Sequence, residues 1–289
     1  MKASFLILYK FLSLSSFEKT LDSWALKASL RDDVNDPLEN IPMFHKSNHA
    51  QAFSEGMVTW DIPPFFSFTR CMSVPAMWGH YAGNAKGICM VFLFPIRPHA
   101  LGSETDIHPY SDGFLDKSVL YGCNLDDIIE DTTFLTMKYD QNRIPANSVY
   151  QDTDKGHRLI MNHDLMRTKA TCWSYEHEVR IICDIKHANL IKDNMLLYSW
   201  PMRFFAGAIR GPKCDTPLSL LEKKIDYHYR RHQLEHPNYL IEKGYLKNFI
   251  VTPSAFSDDQ FSIISAPFRD SMTNTTFWEH YHRGDFNHQ

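Results

Sequence analysis

Nowhere in the chain do roughly 18 uncharged apolar residues run together, which removes a membrane-spanning helix. The apolar start, Ala3 to Tyr9, is interrupted by Lys10 and followed by no clean small-residue cleavage site, so it reads as a first strand rather than a secretory signal. Close cysteine pairs are also missing. Cys71, Cys89, Cys123, Cys172, Cys183 and Cys214 lie far apart, which argues against a zinc ribbon or a redox motif and for free thiols in a reducing, cytoplasmic compartment. No glycine-rich phosphate loop, GxSxG elbow, Cys/His dyad signature or HExxH pattern occurs, and the enzyme classes built on them lose ground accordingly. Excess positive charge is absent too. A formal net charge of -4 and a pI near 6.4 give no global drive toward phosphate backbones or anionic lipid. Nucleic-acid contact would have to be local, no membrane partner is expected, and no internal repeat is visible.

What is present suits one large core. The 289 residues are 44% hydrophobic, 13% aromatic and 22% charged, as in a soluble globular protein. The expected organisation is a single α+β domain over residues 1–269 and a polar tail over 270–289. Period-two or continuous apolar runs predict strands at Phe5–Phe11, Phe65–Thr69, Gly87–Phe94, Ser118–Tyr121, Trp173–Ile185, Phe204–Ile209, Asn248–Val251 and Phe261–Ile264. Helical spacing predicts Ser16–Ala28 capped by Ser16, a short turn at Met77–Gly83, and Pro217–Glu235. It also predicts a helical insertion at about 124–169, formed by Asp126–Tyr139 and Lys155–Lys169. The fold class is therefore α+β, with mixed, mostly antiparallel sheets around a central cleft.

Three constellations carry chemistry. Glu176 and Glu178, two apart on an expected strand, would project from one face about 7 Å apart. Such a pair is costly unless a cation or a substrate hydroxyl lies between them, and like charges so placed shift pKa values toward use in catalysis. The plainer reading is a structural pairing with Arg180 and Lys169 across the sheet. Trp78, His80 and Tyr81 with Lys86-Gly87 could form a stacking pocket for a flat ring with a phosphate anchor. Core packing of Trp78 and Tyr81 with a surface His80 is the simpler account. His228, His232 and His236 recur every fourth residue and would share a helix face. With arginines interleaved and Pro237 next, a solvated basic face fits better than a metal site.

In order, Leu8-Tyr9-Lys10-Phe11, Asn35-Asp36-Pro37-Leu38-Glu39, Ser67-Phe68-Thr69, Met77-Trp78-Gly79-His80-Tyr81-Ala82, Lys86-Gly87-Ile88-Cys89, and Lys169 with Trp173 to Arg180 resemble the large bacterial domain-of-unknown-function family 2971 (DUF2971). The resemblance runs from about residue 5 to about residue 211. It departs at Ala85, where a histidine is commoner, and at Leu38, where an aromatic is. The family name carries no activity.

The layout is also similar to the ADP-ribosyltransferase superfamily, in which three strand-borne motifs build one NAD cleft. That resemblance implies NAD as substrate, bound by Tyr9 or Lys10 on the first strand, by Ser67, Thr69 and Tyr81 around the nicotinamide side, and by Glu178 at the ribose 2′-hydroxyl. Trp78 or Tyr81 would stack on nicotinamide with His80 beside them, and Lys10 or Arg180 would hold the pyrophosphate. Glu176, completing a Glu-x-Glu pair, would orient or deprotonate the acceptor, which stays open between protein, nucleic acid, small molecule and water. No metal is expected for this chemistry. Two rivals remain: a nucleotide- or partner-binding module without turnover, and a metal-dependent nuclease using Asp36, Glu39, Glu176 and Glu178 as oxygen ligands. Oligomeric state and biological role, whether toxin, phage defence or housekeeping, stay open.

Overall fold

Apolar residues alternating along several strands give this chain a seven-stranded sheet whose two faces have different tasks. The computed structural model describes residues 4–41, 43, 62–96, 134–145, 150–153, 156–159, 163–192, 195–235 and 249–265. The chain opens with β1 (Ser4–Leu12), α1 (Leu14–Ser23), β2 (Leu26–Ala28), β3 (Phe65–Thr69), α2 (Pro75–Tyr81) and β4 (Ile88–Ile96). Short elements follow: β5 (Phe134–Thr136), β6 (Lys138–Asp140), β7 (Tyr150–Thr153), β8 (Gly156–Leu159), α3 (His163–Arg167) and β9 (Thr168–Ala170). After a 3₁₀ helix at Thr171–Glu176 come β10 (Glu178–Ile182), β11 (Leu190–Lys192), β12 (Met195–Tyr198), β13 (Phe205–Arg210), the long helix α4 (Leu218–Glu235), β14 (Ile250–Pro253), β15 (Ala255–Phe256) and β16 (Ile263–Ile264).

The large sheet runs β14-β13-β4-β1-β3-β10-β5 and is antiparallel except between β13 and β14. The expected α+β class with mostly antiparallel strands is what the chain forms. One face is apolar across its width: Leu8, Phe66, Phe68, Phe92, Val179 and Ile181 share one core with Phe17 and Leu21 of α1, Leu221 and Ile225 of α4, and Tyr198 and Trp200. Phe68 meets Phe92 edge-to-face with centroids 5.2 Å apart, a favourable aromatic geometry. The opposite face is apolar only over β1, β4 and β13, where α2 inserts Met77 and Trp78 against Phe11 and Val91. Over β3 and β10 it carries Ser67, Thr69, Glu178 and Arg180 instead.

Two local features open a cleft on that polar half. β1 pairs with β4 along its whole length but registers with β3 only at Tyr9 and Thr69, so the sheet splays between β1 and β3. At the end of β1, Gly87 lies so close that a Cβ there would sit 2.1 Å from the Leu12 carbonyl oxygen. That approach docks the turn after α2 onto the strand and fixes α2 beside the cleft, and it accounts for the Lys-Gly pair without a phosphate.

Several boundaries differ from expectation. α1 starts at Leu14 because Ser13, not Ser16, is the cap, its hydroxyl accepting the Ser16 N–H at 3.2 Å. It stops at Ser23, where Trp24 turns left-handed at φ 46, and the chain then forms β2 against β12. The helical insertion is corrected more deeply. Phe134–Asp140 forms β5 and β6, and Gly156–Leu159 and Thr168–Ala170 are strands, leaving only His163–Arg167 helical in the described part. Pairing of β5 with β10, which buries Leu135 completely, overrides the local helical spacing. Residues 118–121, 126–133 and the tail 270–289 lie outside the described residues. Cys172, Cys183 and Cys214 are free thiols. No helix among the described residues is long and apolar enough to cross a membrane.

Candidate functional site

Glu178 and Arg180 come from β10, and the period of two that sends Val179 and Ile181 into the apolar core sends these two to the other side. Thr69 faces Glu178 and Ser67 faces Arg180 on β3, and Tyr9 lies opposite Thr69 on β1. Three adjacent strands thus bring the first, middle and late motifs together. The cleft they line also receives Lys10, Tyr81 from α2, and Asn35 and Glu39 from the loop after β2.

Glu176 is not on the strand. It ends the 3₁₀ helix, and His177, left-handed at φ 44 with its N–H on the Ser174 carbonyl at 3.2 Å, separates it from β10. The turn re-aims Glu176 so that both carboxylates reach one ammonium: Lys169 Nζ is 2.6 Å from Glu176 Oε2 and 3.4 Å from Glu178 Oε2. The cation that so tight a carboxylate pair requires is therefore supplied by the chain.

Around Lys169 the network is dense. Its Nζ also donates to Asn35 Oδ1 at 3.1 Å and lies 3.2 Å from Glu39 Oε2. The Arg180 guanidinium grips Glu178 through Nε at 2.8 Å and Nη2 at 3.2 Å, donates to the Met166 carbonyl at 2.7 Å, and pairs with Glu39. Glu176 Oε1 accepts from Tyr81 and, at 3.2 Å, from Asn35 Nδ2. Glu39, Lys169, Glu176, Glu178 and Arg180 each expose 5% of their surface or less. Three carboxylates face two cations there, which leaves one net negative charge in a desolvated place.

That environment sets the protonation states. Burial pushes the Glu178 carboxyl up, but the Arg180 guanidinium and Lys169 ammonium outweigh it and hold the pKa down at about 2. Burial opposes charge on Lys169 and Arg180 as well; their carboxylate neighbours reverse the balance and raise both. The Tyr81 phenol is raised first by burial and then by its hydrogen bond to Glu176, so it keeps its proton. Lys10 behaves differently. Its Nζ donates to the Ser67 carbonyl at 3.0 Å, in the gap where β1 and β3 part. Burial lowers its pKa to about 8 against the pull of Glu178, with nearby Lys27 adding to the depression.

Of the residues expected at a site, Tyr9, Lys10, Ser67, Thr69, Tyr81, Glu176, Glu178 and Arg180 line this one cleft. Thr69 is turned partly to structure, its hydroxyl donating to the Cys71 carbonyl at 3.2 Å and accepting the Cys71 N–H at 3.1 Å. Arg180 is fully engaged by Glu39, Glu178 and a carbonyl, which fits a frame better than a pyrophosphate clamp. Trp78 is absent from the lining: it is completely buried, its indole N–H donates to the Met72 carbonyl at 2.7 Å, and its ring abuts Phe11. It packs the core and cannot stack on a ligand. His80 is exposed, next to the cleft but outside it, and Lys86 is exposed on the turn beyond.

Asn35, Glu39 and Lys169 are central yet were not expected as site residues for nucleotide chemistry. Their signal was positional, since Asn35 and Glu39 stand in one motif island and Lys169 shortly precedes another. The oxygen cage a nuclease would build from Asp36, Glu39, Glu176 and Glu178 does not form. Asp36 accepts the Leu38 N–H at 2.9 Å, and the three glutamates surround Lys169 and Arg180. Among the described residues no three His, Cys, Asp or Glu side chains are grouped to hold a metal. On α4, His228 sits 3.5 Å from Asp22 and His232 stacks on Trp24 with centroids 5.8 Å apart, so both serve the contact with α1; His236 lies outside the described residues.

The cleft measures about 180 Å³. Ligand pockets commonly span roughly 300–1,000 Å³, so this space seats one sugar or ring and leaves the rest of a dinucleotide at its mouth. A family model described as a protein of unknown function (DUF2971) matches residues 77–181. The matched span is narrower than the islands from residue 5 to 211 would imply. It includes Tyr81, Lys169, Glu176, Glu178 and Arg180 but not the β1 and β3 residues. No curated protein matches the chain, and neither does any solved structure.

Proposed function

We propose that this cleft binds NAD, or a closely related nucleotide, and cleaves the bond between nicotinamide and ribose, passing ADP-ribose to an acceptor or to water. The observation that carries the reading is the convergence of Lys10, Ser67, Tyr81 and Glu178 from β1, β3, α2 and β10 on one small cleft. As the nicotinamide leaves with the bonding electron pair, positive charge grows on the sugar. Carboxylates held in a desolvated network stabilise that charge electrostatically. Glu178 stays ionised far below neutral pH and so supplies a fixed anion near the ribose. Glu176, held by Tyr81, Asn35 and Lys169, positions the sugar or the acceptor hydroxyl. Among the described residues Lys10 has no carboxylate within ion-pairing distance, and it offers its ammonium to a phosphate oxygen.

The test is to incubate the purified chain with NAD, with and without EDTA, and to quantify free nicotinamide while recording the melting temperature. Nicotinamide release that survives the chelator, together with a raised Tm, is expected. The absence of both overturns the reading. A second reading, binding without turnover, is favoured by one observation: Arg180 and Lys169 together engage both oxygens of Glu178. A raised Tm with no nicotinamide release would select it.

A further inference from the structure

At the rim of the cleft four rings form an unbroken arc. Tyr81 neighbours His80 with centroids 6.2 Å apart, His80 neighbours Tyr175 at 6.2 Å, and Tyr175 neighbours Trp173 at 6.1 Å. Beyond Trp173 the arc closes on Lys169, whose Nζ lies 5.0 Å from the indole centroid. Both ends belong to the site, because Tyr81 and Lys169 line the cleft and both hold Glu176. Tyr81, Trp173 and Tyr175 are half-buried and His80 is exposed, whereas the other described tryptophans, Trp24, Trp78 and Trp200, are buried in the two cores. Keeping aromatic rings part-exposed forgoes the burial that stabilises them elsewhere, so the arc calls for an occupant.

We infer that the Trp173–Tyr175–His80 arc is a stacking platform for a nucleobase, continuous with the cleft. The inference rests on the nucleotide reading above and extends it. A cleft of about 180 Å³ holds one ring or sugar, so a nucleotide seated there lays its base outside, and the rim offers part-exposed aromatic rings, tilted or edge-on to one another, with a cation over one of them. Every base has a face that stacks on such rings irrespective of its sequence edge. The base could be the adenine of a dinucleotide or belong to a single-stranded nucleic acid that serves as acceptor.

The full chain is titrated calorimetrically with AMP, ribose 5-phosphate and a short single-stranded oligodeoxyadenylate, and tryptophan fluorescence is followed in parallel. AMP is expected to bind more tightly than ribose 5-phosphate and to quench fluorescence that ribose 5-phosphate leaves unchanged. Trp173→Phe should lose the quench yet keep most of the AMP affinity. Trp173→Ala should weaken AMP by about 5- to 150-fold, the loss of one stacked base, while ribose 5-phosphate binding holds. His80→Ala, on an exposed side chain outside both cores, provides a second variant should Trp173→Ala fail to fold. An oligonucleotide binding far tighter than AMP identifies nucleic acid as the source of the base, and equal binding identifies the dinucleotide itself. Equal affinity for AMP and ribose 5-phosphate, or AMP affinity unchanged in both alanine variants, overturns the platform. Nicotinamide release, measured separately, then reports on the cleft: platform failure leaves it intact, and its absence beside normal AMP stacking removes the cleavage chemistry alone.

Discussion

Strand β10 has two faces that obey opposite rules. Val179 and Ile181 enter a core of phenylalanines in which nearly every contact is interchangeable dispersion and burial. One residue along, Glu178 and Arg180 enter a network of five buried charges in which each partner is specified by hydrogen bonds. The first face stabilises the fold directly. The second takes charges out of water at a cost of several kcal/mol per ion, and their mutual attraction recovers that only with good geometry. A fold does not need such an arrangement at its centre, so its presence beside a cleft points to use.

The sharpest way to break the comparison is to remove one partner. Arg180→Met leaves Glu39 and Glu178 buried against Lys169 alone and should cost about 3–5 kcal/mol in urea denaturation, comparable to Phe66→Ala on the apolar face. Removing the whole triad should behave differently. A triple variant, Glu39→Leu and Glu178→Leu with Arg180→Met, leaves Lys169 paired with Glu176 and should fold at least as stably as the parent, with a gain of up to about 1–4 kcal/mol, while losing nicotinamide release. A triple variant that unfolds as readily as the single one would show that the charged face is structural after all.

The pH dependence sharpens the same contrast. The folded-state pKa of Glu178, about 2, lies below its ordinary value of 4.5, so its ionised form contributes stability that is fully present above pH 4.5 and is lost as pH falls toward 2. The difference in unfolding free energy between the parent and Glu178→Gln should shrink over that window, whereas a variant of the apolar face, Ile181→Val, should differ from the parent equally at all pH values. Lys10 runs the other way. Its pKa is depressed from 10.5 to about 8, so its ammonium weakens the fold at low pH and that penalty is relieved as pH rises from about 8 to 10.5. Phosphate-bearing ligands should bind less tightly as pH climbs through 8, and Lys10→Arg should flatten that decline. The smallest effect is expected from Tyr81→Phe, which leaves Glu176 with Asn35 and Lys169 and should cost about 1 kcal/mol by thermal melt.

How far the sequence disclosed this follows from the same contrast. The apolar face was readable because period-two patterning is local: β1, β3, β4 and β13 lie close to where alternation places them, and β10 keeps the alternation at Val179 and Ile181 but forms only Glu178–Ile182 of the expected Trp173–Ile185. The cleft was partly readable, because Lys10, Ser67, Tyr81 and Glu178 stand in distinctive islands. Glu176 escaped because a strand pattern cannot announce the left-handed residue at His177 that ends a 3₁₀ helix. Trp78 misled because an aromatic beside a histidine and a lysine has the same composition whether it stacks on a ligand or fills a core. Within the expected helices over 126–139 and 155–169, His163–Arg167 is helical, while Phe134–Thr136, Lys138–Asp140 and Thr168–Ala170 gave way to strands where β5 docks on β10 and β9 on β6, non-local pairings that no local spacing encodes.

The most direct measurement compares nicotinamide release from NAD by the parent chain and by Glu178→Gln, both assayed above pH 7 at a temperature below the cooperative melt of the less stable variant. Release by the parent and its loss in the folded variant are the expected results. Undiminished release by folded Glu178→Gln would contradict the assignment of the charged face of β10 to the chemistry.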